Sequence, residues 1–135
     1  MFDIVKPIPF GATTYPIGVA ETESVWRELD QLLTTDEHSE LIDFLAANPD
    51  FGDQIPGAGG IRKMPWRYGP RGNRGVIRIV YFFYDLNMPL YVLALYQKGE
   101  SMRLTSHERK EMASLAQQLV NEYAVRIRQV EGGLA

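Results

Sequence analysis

Three β-prone runs follow one another in the second half of the chain: Ile61 to Trp66, Val76 to Tyr84, and Leu90 to Lys98. The first two are joined by the basic turn Arg67-Tyr-Gly-Pro-Arg-Gly-Asn-Arg74, the last two by the short Asp85-to-Pro89 connection. Their β-branched and aromatic content, with turns of this kind, predicts an antiparallel meander. The rest of the chain must supply the layers that cover it.

Those layers read as helices. Val25, Trp26, Leu29, Leu32 and Leu33 recur at helical spacing, and Thr34 with Glu37 three residues later is a capping box opening a second helix. That helix buries Leu41, Ile42 and Leu45 and stops at Asn48-Pro49, because proline disfavours helical geometry in the residue before it. The pair is an acidic helical hairpin whose carboxylates, Glu28 to Asp43, read as a solvated face. Thr105 and Glu108 form a second capping box, and Met112, Leu115, Ala116, Leu119, Val120 and Tyr123 mark one face of a C-terminal helix to about residue 128. Ile17 to Thr22 is a candidate edge strand. The expectation is one α+β domain over residues 17–130, a small antiparallel sheet with helices segregated on it. Residues 1–16, with Pro7, Pro9, Gly11 and Pro16, read as an irregular extension, and 131–135 as a flexible tail.

Several functions are excluded early. The 135 residues contain no Cys, which removes disulfides, zinc ribbons and a thiol nucleophile. No apolar run approaches the roughly 20 residues of a membrane helix, and the N-terminus lacks the order of a signal peptide, so a cytoplasmic protein is expected. The Gly/Pro-rich loop 48–60 lacks the Gly-Lys-Ser/Thr ending of a phosphate loop, and no Gly-x-Gly-x-x-Gly opens a helix.

Net charge is only −3, but it is unevenly spread. Residues 1–59 hold 2 basic against 11 acidic side chains, and residues 60–110 hold 10 against 3. A local excess of this size is the footprint of a polyanion-binding surface, since the field at a site follows nearby charges more than the total.

If Tyr84 pairs with Leu90, the antiparallel register sets Arg78 opposite Tyr96 and Lys98 opposite Val76. Arg78, Tyr96 and Lys98 then share one face. Arg fits a phosphate with a planar fork, and Lys supplies a compact charge. With a phenol beside them, such groups activate a ribose hydroxyl and stabilise a crowded phosphorane without a metal or histidine. His38, in the acidic hairpin, and His107, at a helix start, offer no two-histidine pair. Asp85, Glu100 and Glu108 are too scattered for a metal cage. Arg62, Lys63, Arg67, Arg71 and Arg74, interleaved with Trp66 and Tyr68, add phosphate anchors and flat surfaces on which single-stranded bases stack, although either ring also serves as cover for the core edge. Met64, Phe82 and Phe83 read as core.

Leu-Leu-Thr-Thr-Asp-Glu at 32–37, Asn-Pro-Asp-Phe-Gly-Asp-Gln-Ile-Pro-Gly-Ala-Gly-Gly-Ile-Arg-Lys at 48–63, Arg74-Gly, Arg78-Ile-Val-Tyr81-Phe-Phe and Tyr96-Gln-Lys98-Gly-Glu100 resemble the RelE/HigB-type toxins of bacterial type II toxin–antitoxin systems, the HigB branch in particular. The resemblance spans about residues 17–123. It implies a RelE-like α+β fold and an mRNA interferase, an endonuclease acting on translated mRNA in the ribosomal A site without cofactor or metal. It also implies a cognate antitoxin, often a helix-turn-helix protein, through which the pair reaches DNA and represses its operon. By that resemblance Arg78 contacts the scissile phosphate, and Arg62 and Lys63 match the basic pair on the first meander strand. Arg74 matches the arginine of the basic turn, Lys98 the basic position at the end of the last strand and Tyr96 the Tyr-x-Lys position of the HigB branch, with Tyr96 or Lys98 assisting proton transfer. The chain departs from the family in its overall acidity and in residues 1–16, which have no counterpart. Two rival readings share the fold: a ParE-like inhibitor that blocks DNA gyrase by binding alone, and a degenerate toxin that only binds its antitoxin.

Overall fold

The computed structural model describes residues 4–7, 17–97 and 103–134. The element order is β1 (Ile4–Pro7), β2 (Val19–Thr22), α1 (Glu23–Leu32), α2 (Thr35–Ala47), β3 (Asp53–Gln54), β4 (Ile61–Tyr68), a short 3-10 turn (Pro70–Gly72), β5 (Gly75–Phe82), β6 (Leu90–Gln97) and α3 (Ser106–Leu134). The fold is α+β.

The meander forms as its turns require: β4 pairs antiparallel with β5, and β5 with β6. The sheet as a whole is mixed, because β2 runs parallel to β6 in the order β1-β2-β6-β5-β4-β3. This corrects the expectation of a purely antiparallel sheet. It also moves residues 19–22 from the edge to the interior, since β1 pairs on the far side of β2. The reason lies in β6, Leu-Tyr-Val-Leu-Ala-Leu-Tyr-Gln, which is apolar on both faces and has to be flanked by strands on both sides and covered above and below.

The helices accordingly divide between the two faces. On one, α1 and α2 pack Val25, Leu29, Leu33, Leu41, Ile42 and Leu45 against Met64, Ile77, Ile79, Tyr81, Leu90 and Val92. On the other, α3 packs Ala116 and Leu119 with Ile61, Val80, Phe82, Tyr91 and Leu93. β3 and a strand within residues 1–16 have no periodic signal at their length. α3 extends to Leu134, past the expected end near residue 128.

Local signals are read directly by the backbone. The Thr34 hydroxyl accepts from the Glu37 amide at 3.1 Å while Glu37 Oε1 accepts from the Thr34 amide at 2.9 Å. Thr105 and Glu108 repeat this at the start of α3, both at 3.1 Å. α2 ends with Asn48 as its cap.

Candidate functional site

Alternation along β5 decides which side chains reach solvent. Ile77, Ile79 and Tyr81 point into the hairpin-side core, and Val80 and Phe82 into the α3-side core. Arg78 lies on the α3 side with Val80, two positions on, yet it is exposed.

Arg78 stands opposite Tyr96 in the β5–β6 ladder and opposite Pro65 in the β4–β5 ladder. The ladder does not start from a Tyr84–Leu90 pair. It closes at Phe82 with Tyr91, one residue out of step with a Tyr84–Leu90 pairing, and a bulge between Val80 and Tyr81 on the β5 side leaves Leu93 of β6 unpaired. Beyond the bulge the register is the expected one. Lys98 lies outside the described residues.

Tyr96 is half-buried at the border of the α3-side core. From β4, Lys63 and Arg67 lie two positions either side of Pro65 and so share the face of Arg78. None of Lys63, Arg67 and Arg78 forms an ion pair with a described residue. The result is a stretch of open sheet carrying three cations and a phenol, a surface suited to a phosphodiester.

The other sequence-derived residues go elsewhere. Arg62 alternates to the hairpin side, where Nη1 donates to the carbonyl oxygens of Gly52 at 2.6 Å and Asp50 at 3.1 Å. It tethers the α2–β3 loop. Trp66 and Tyr68 pack against the hairpin-side core, Trp66 within 5.4 Å of the Phe44 ring, and Phe44 in turn 5.1 Å from exposed Phe51. Arg71 and Arg74 belong to the β4–β5 turn on this same side, where Arg67 reaches the groove lined by that turn. Thus the structure brings Arg78 and Tyr96 together, sets Lys63 beside them, gathers Trp66, Tyr68, Arg71 and Arg74 into a second locality, and leaves Arg67 between the two.

Three polar contacts carried no recognisable signal. The Gly69 amide donates to Glu37 Oε2, so the carboxylate that caps α2 also holds the basic turn. Those two amides, Thr34 first, keep the Glu37 carboxyl below the usual carboxylate range, with the Arg74 charge adding to the effect. Glu21, buried in β2, faces His38 of α2 with both carboxylate oxygens 3.0 Å from Nε2. The trace of that pair in the sequence is a single carboxylate in the short β2 strand, Val-Ala-Glu-Thr. The Tyr81 hydroxyl accepts from the Gly52 amide at 2.7 Å, and burial pushes the phenol above its ordinary value.

His107 pairs with Glu111 on the exposed face of α3. Among the described residues no three His, Asp or Glu side chains converge as a metal site, and no helix is long and apolar enough to cross a membrane. No protein-family model matches the chain.

Proposed function

We propose that the chain is a RelE/HigB-type toxin with a RelE-like fold, a cytoplasmic, ribosome-dependent mRNA endonuclease restrained by a cognate helix-turn-helix antitoxin. The observation that carries this reading is the cross-strand pairing of exposed Arg78 with Tyr96, flanked on the same face by Lys63 and Arg67. A surface whose only task was to bind a protein would have no need of that grouping.

In this scheme the Arg78 guanidinium holds the non-bridging oxygens of the scissile phosphate, whereas Arg74, which lines the hairpin-side groove, does not stand at that phosphate. The 2′-oxygen of the message attacks phosphorus in line as its proton passes to the base, which is Tyr96 as its phenolate or Lys98 as its free amine. The bond from phosphorus to the 5′-oxygen breaks, and that oxygen takes up a proton from the other member of the pair, in its protonated form, or from water. The products are a 2′,3′-cyclic phosphate and a free 5′-hydroxyl. Rate enhancement comes from positioning and charge stabilisation, with the ribosome holding the strand in the attack geometry.

The test is induced expression in bacteria with mapping of mRNA 5′ ends against ribosome position. The wild-type chain should cut translated messages in frame. Arg78→Ala, verified as folded, should lower cleavage by about 10²–10³, as removal of one electrostatic stabiliser does, and should still bind the antitoxin. Undiminished cleavage by that variant would remove the assigned role. Altered DNA supercoiling with no cuts would select the gyrase inhibitor instead.

A further inference from the structure

On the hairpin side, the turn between β4 and β5 closes against the start of α2 and leaves a groove of about 560 Å³. This lies within the roughly 300–1,000 Å³ of small-ligand sites. Its walls differ in chemistry. One carries Arg67, Arg71 and Arg74 with the rings of Trp66 and Tyr68, and the other carries carboxylates of α2. None of the three guanidiniums forms an ion pair with a described residue, despite those carboxylates across the groove.

The two carboxylates are not equivalent. Glu37 is committed on both oxygens, to the Thr34 and Gly69 amides. Glu40, nearly one helical turn further on, is exposed, lines the groove and has no hydrogen bond or ion pair with a described residue. The turn itself is unusual at Arg71, which has φ 56° and is the only non-glycine with positive φ among the described residues. Glycines stand on either side of it at 69 and 72. A side chain at such a backbone position, where glycine would be free of strain, points to a role for the side chain.

We infer that this groove binds one unstacked guanine nucleotide of RNA, its phosphate among Arg67, Arg71 and Arg74, its base against Trp66 and Tyr68, and its Watson–Crick edge on Glu40. A carboxylate is an acceptor only. Guanine alone among the RNA bases sets two adjacent donors, N1–H and the N2 amino group, on that edge, so both Glu40 oxygens are engaged. Adenine, cytosine and uracil each offer one. Aromatic faces and arginines are the usual means of holding a base splayed out of a single strand. The inference rests on the proposed function only in taking RNA as the source of the nucleotide, because the groove opens on the hairpin side and shares with the face of Arg78 and Tyr96 only Arg67, which reaches it from the end of β4.

The experiment uses the full chain with Trp26→Phe, which leaves Trp66 as the sole indole, titrated with GMP, AMP and inorganic phosphate while its fluorescence is followed. A saturable change with GMP is expected, roughly tenfold weaker with AMP, as loss of one of two hydrogen bonds to an exposed carboxylate allows, and absent with phosphate. Glu40→Gln should abolish the preference for GMP, and Arg71→Gln with Arg74→Gln should lower GMP affinity more than tenfold, each with an unchanged thermal transition. No saturable response to millimolar GMP, equal affinity for GMP and AMP, or the same response to phosphate alone would overturn the assignment. Binding is read by fluorescence and cleavage by mapped mRNA ends, so failure of one is distinguishable from failure of the other.

Discussion

Gly52 and Tyr81 illustrate how a single contact fixes the loop that precedes the site strands. A Cβ placed on Gly52 would lie 2.8 Å from both the Tyr81 hydroxyl and the Lys63 carbonyl, so Gly52→Ala should cost about 1–3 kcal/mol, the usual range for overpacking, seen as a lower urea midpoint with an unchanged slope. Tyr81→Phe leaves the Gly52 amide without its acceptor and should cost about 1–3 kcal/mol. It also has a signature in alkali. The folded phenol titrates above its unfolded counterpart, chiefly because it is buried, so the unfolded chain loses that proton first as pH rises. Stability is therefore complete below the unfolded phenol's pKa and is lost as pH climbs towards the folded one. Denaturation curves from neutral pH to above 10 should show that decline in the wild-type chain and a flatter profile in Tyr81→Phe.

At the scale of elements, the start of α2 does two jobs, since Glu37 closes the capping box and receives the Gly69 amide from the β4–β5 turn. Gly69 has φ 91°, and a Cβ there would overlap Arg74, so only glycine fits at the position that donates to Glu37. Thr34→Ala should cost about 1 kcal/mol, as loss of an N-cap does. Glu37→Ala should cost more and should also loosen the turn, measured as faster amide exchange at Gly69. Because the folded Glu37 carboxyl is held below its unfolded value, its contribution is present above the ordinary carboxylate range and fades as pH falls through the folded value. Acid unfolding of Glu37→Gln should lack that component. The helices, both capping boxes and the three meander strands were legible in the sequence because each is set by neighbours within a few residues. The Arg78–Tyr96 adjacency was legible in outcome, but the assumed Tyr84–Leu90 pairing is not made. A bulge at Leu93 restores the register, and a bulge leaves no mark in the run Val92-Leu93-Ala94-Leu95. The Glu37–Gly69 and Glu21–His38 contacts were not legible, since they join residues brought together only when the hairpin settles on the sheet.

For the whole molecule, the uneven charge maps onto the architecture: the acidic half builds the hairpin and the basic half builds the meander. If the basic half grips RNA, affinity should fall linearly in log–log terms with added salt, by about 0.7–0.9 per phosphate neutralised. Arg71→Glu should weaken ribosome binding and lower that slope by at least about one such unit, and a slope unchanged by the substitution would detach the turn from RNA contact. Sheet order was the least legible property, because nothing local in Val19–Thr22 specifies β6 as its neighbour or a parallel direction. That seam also bears on how the chain acquires its shape. It joins segments about seventy residues apart, Val19 to Leu90, whereas the β4–β5–β6 ladders close over short loops. The entropy of closing so large a loop is met late, so the rate-limiting ensemble should contain the meander and lack the N-terminal strand. Truncating Ile79 to Val should then slow refolding, while truncating Val19 to Ala should chiefly hasten unfolding.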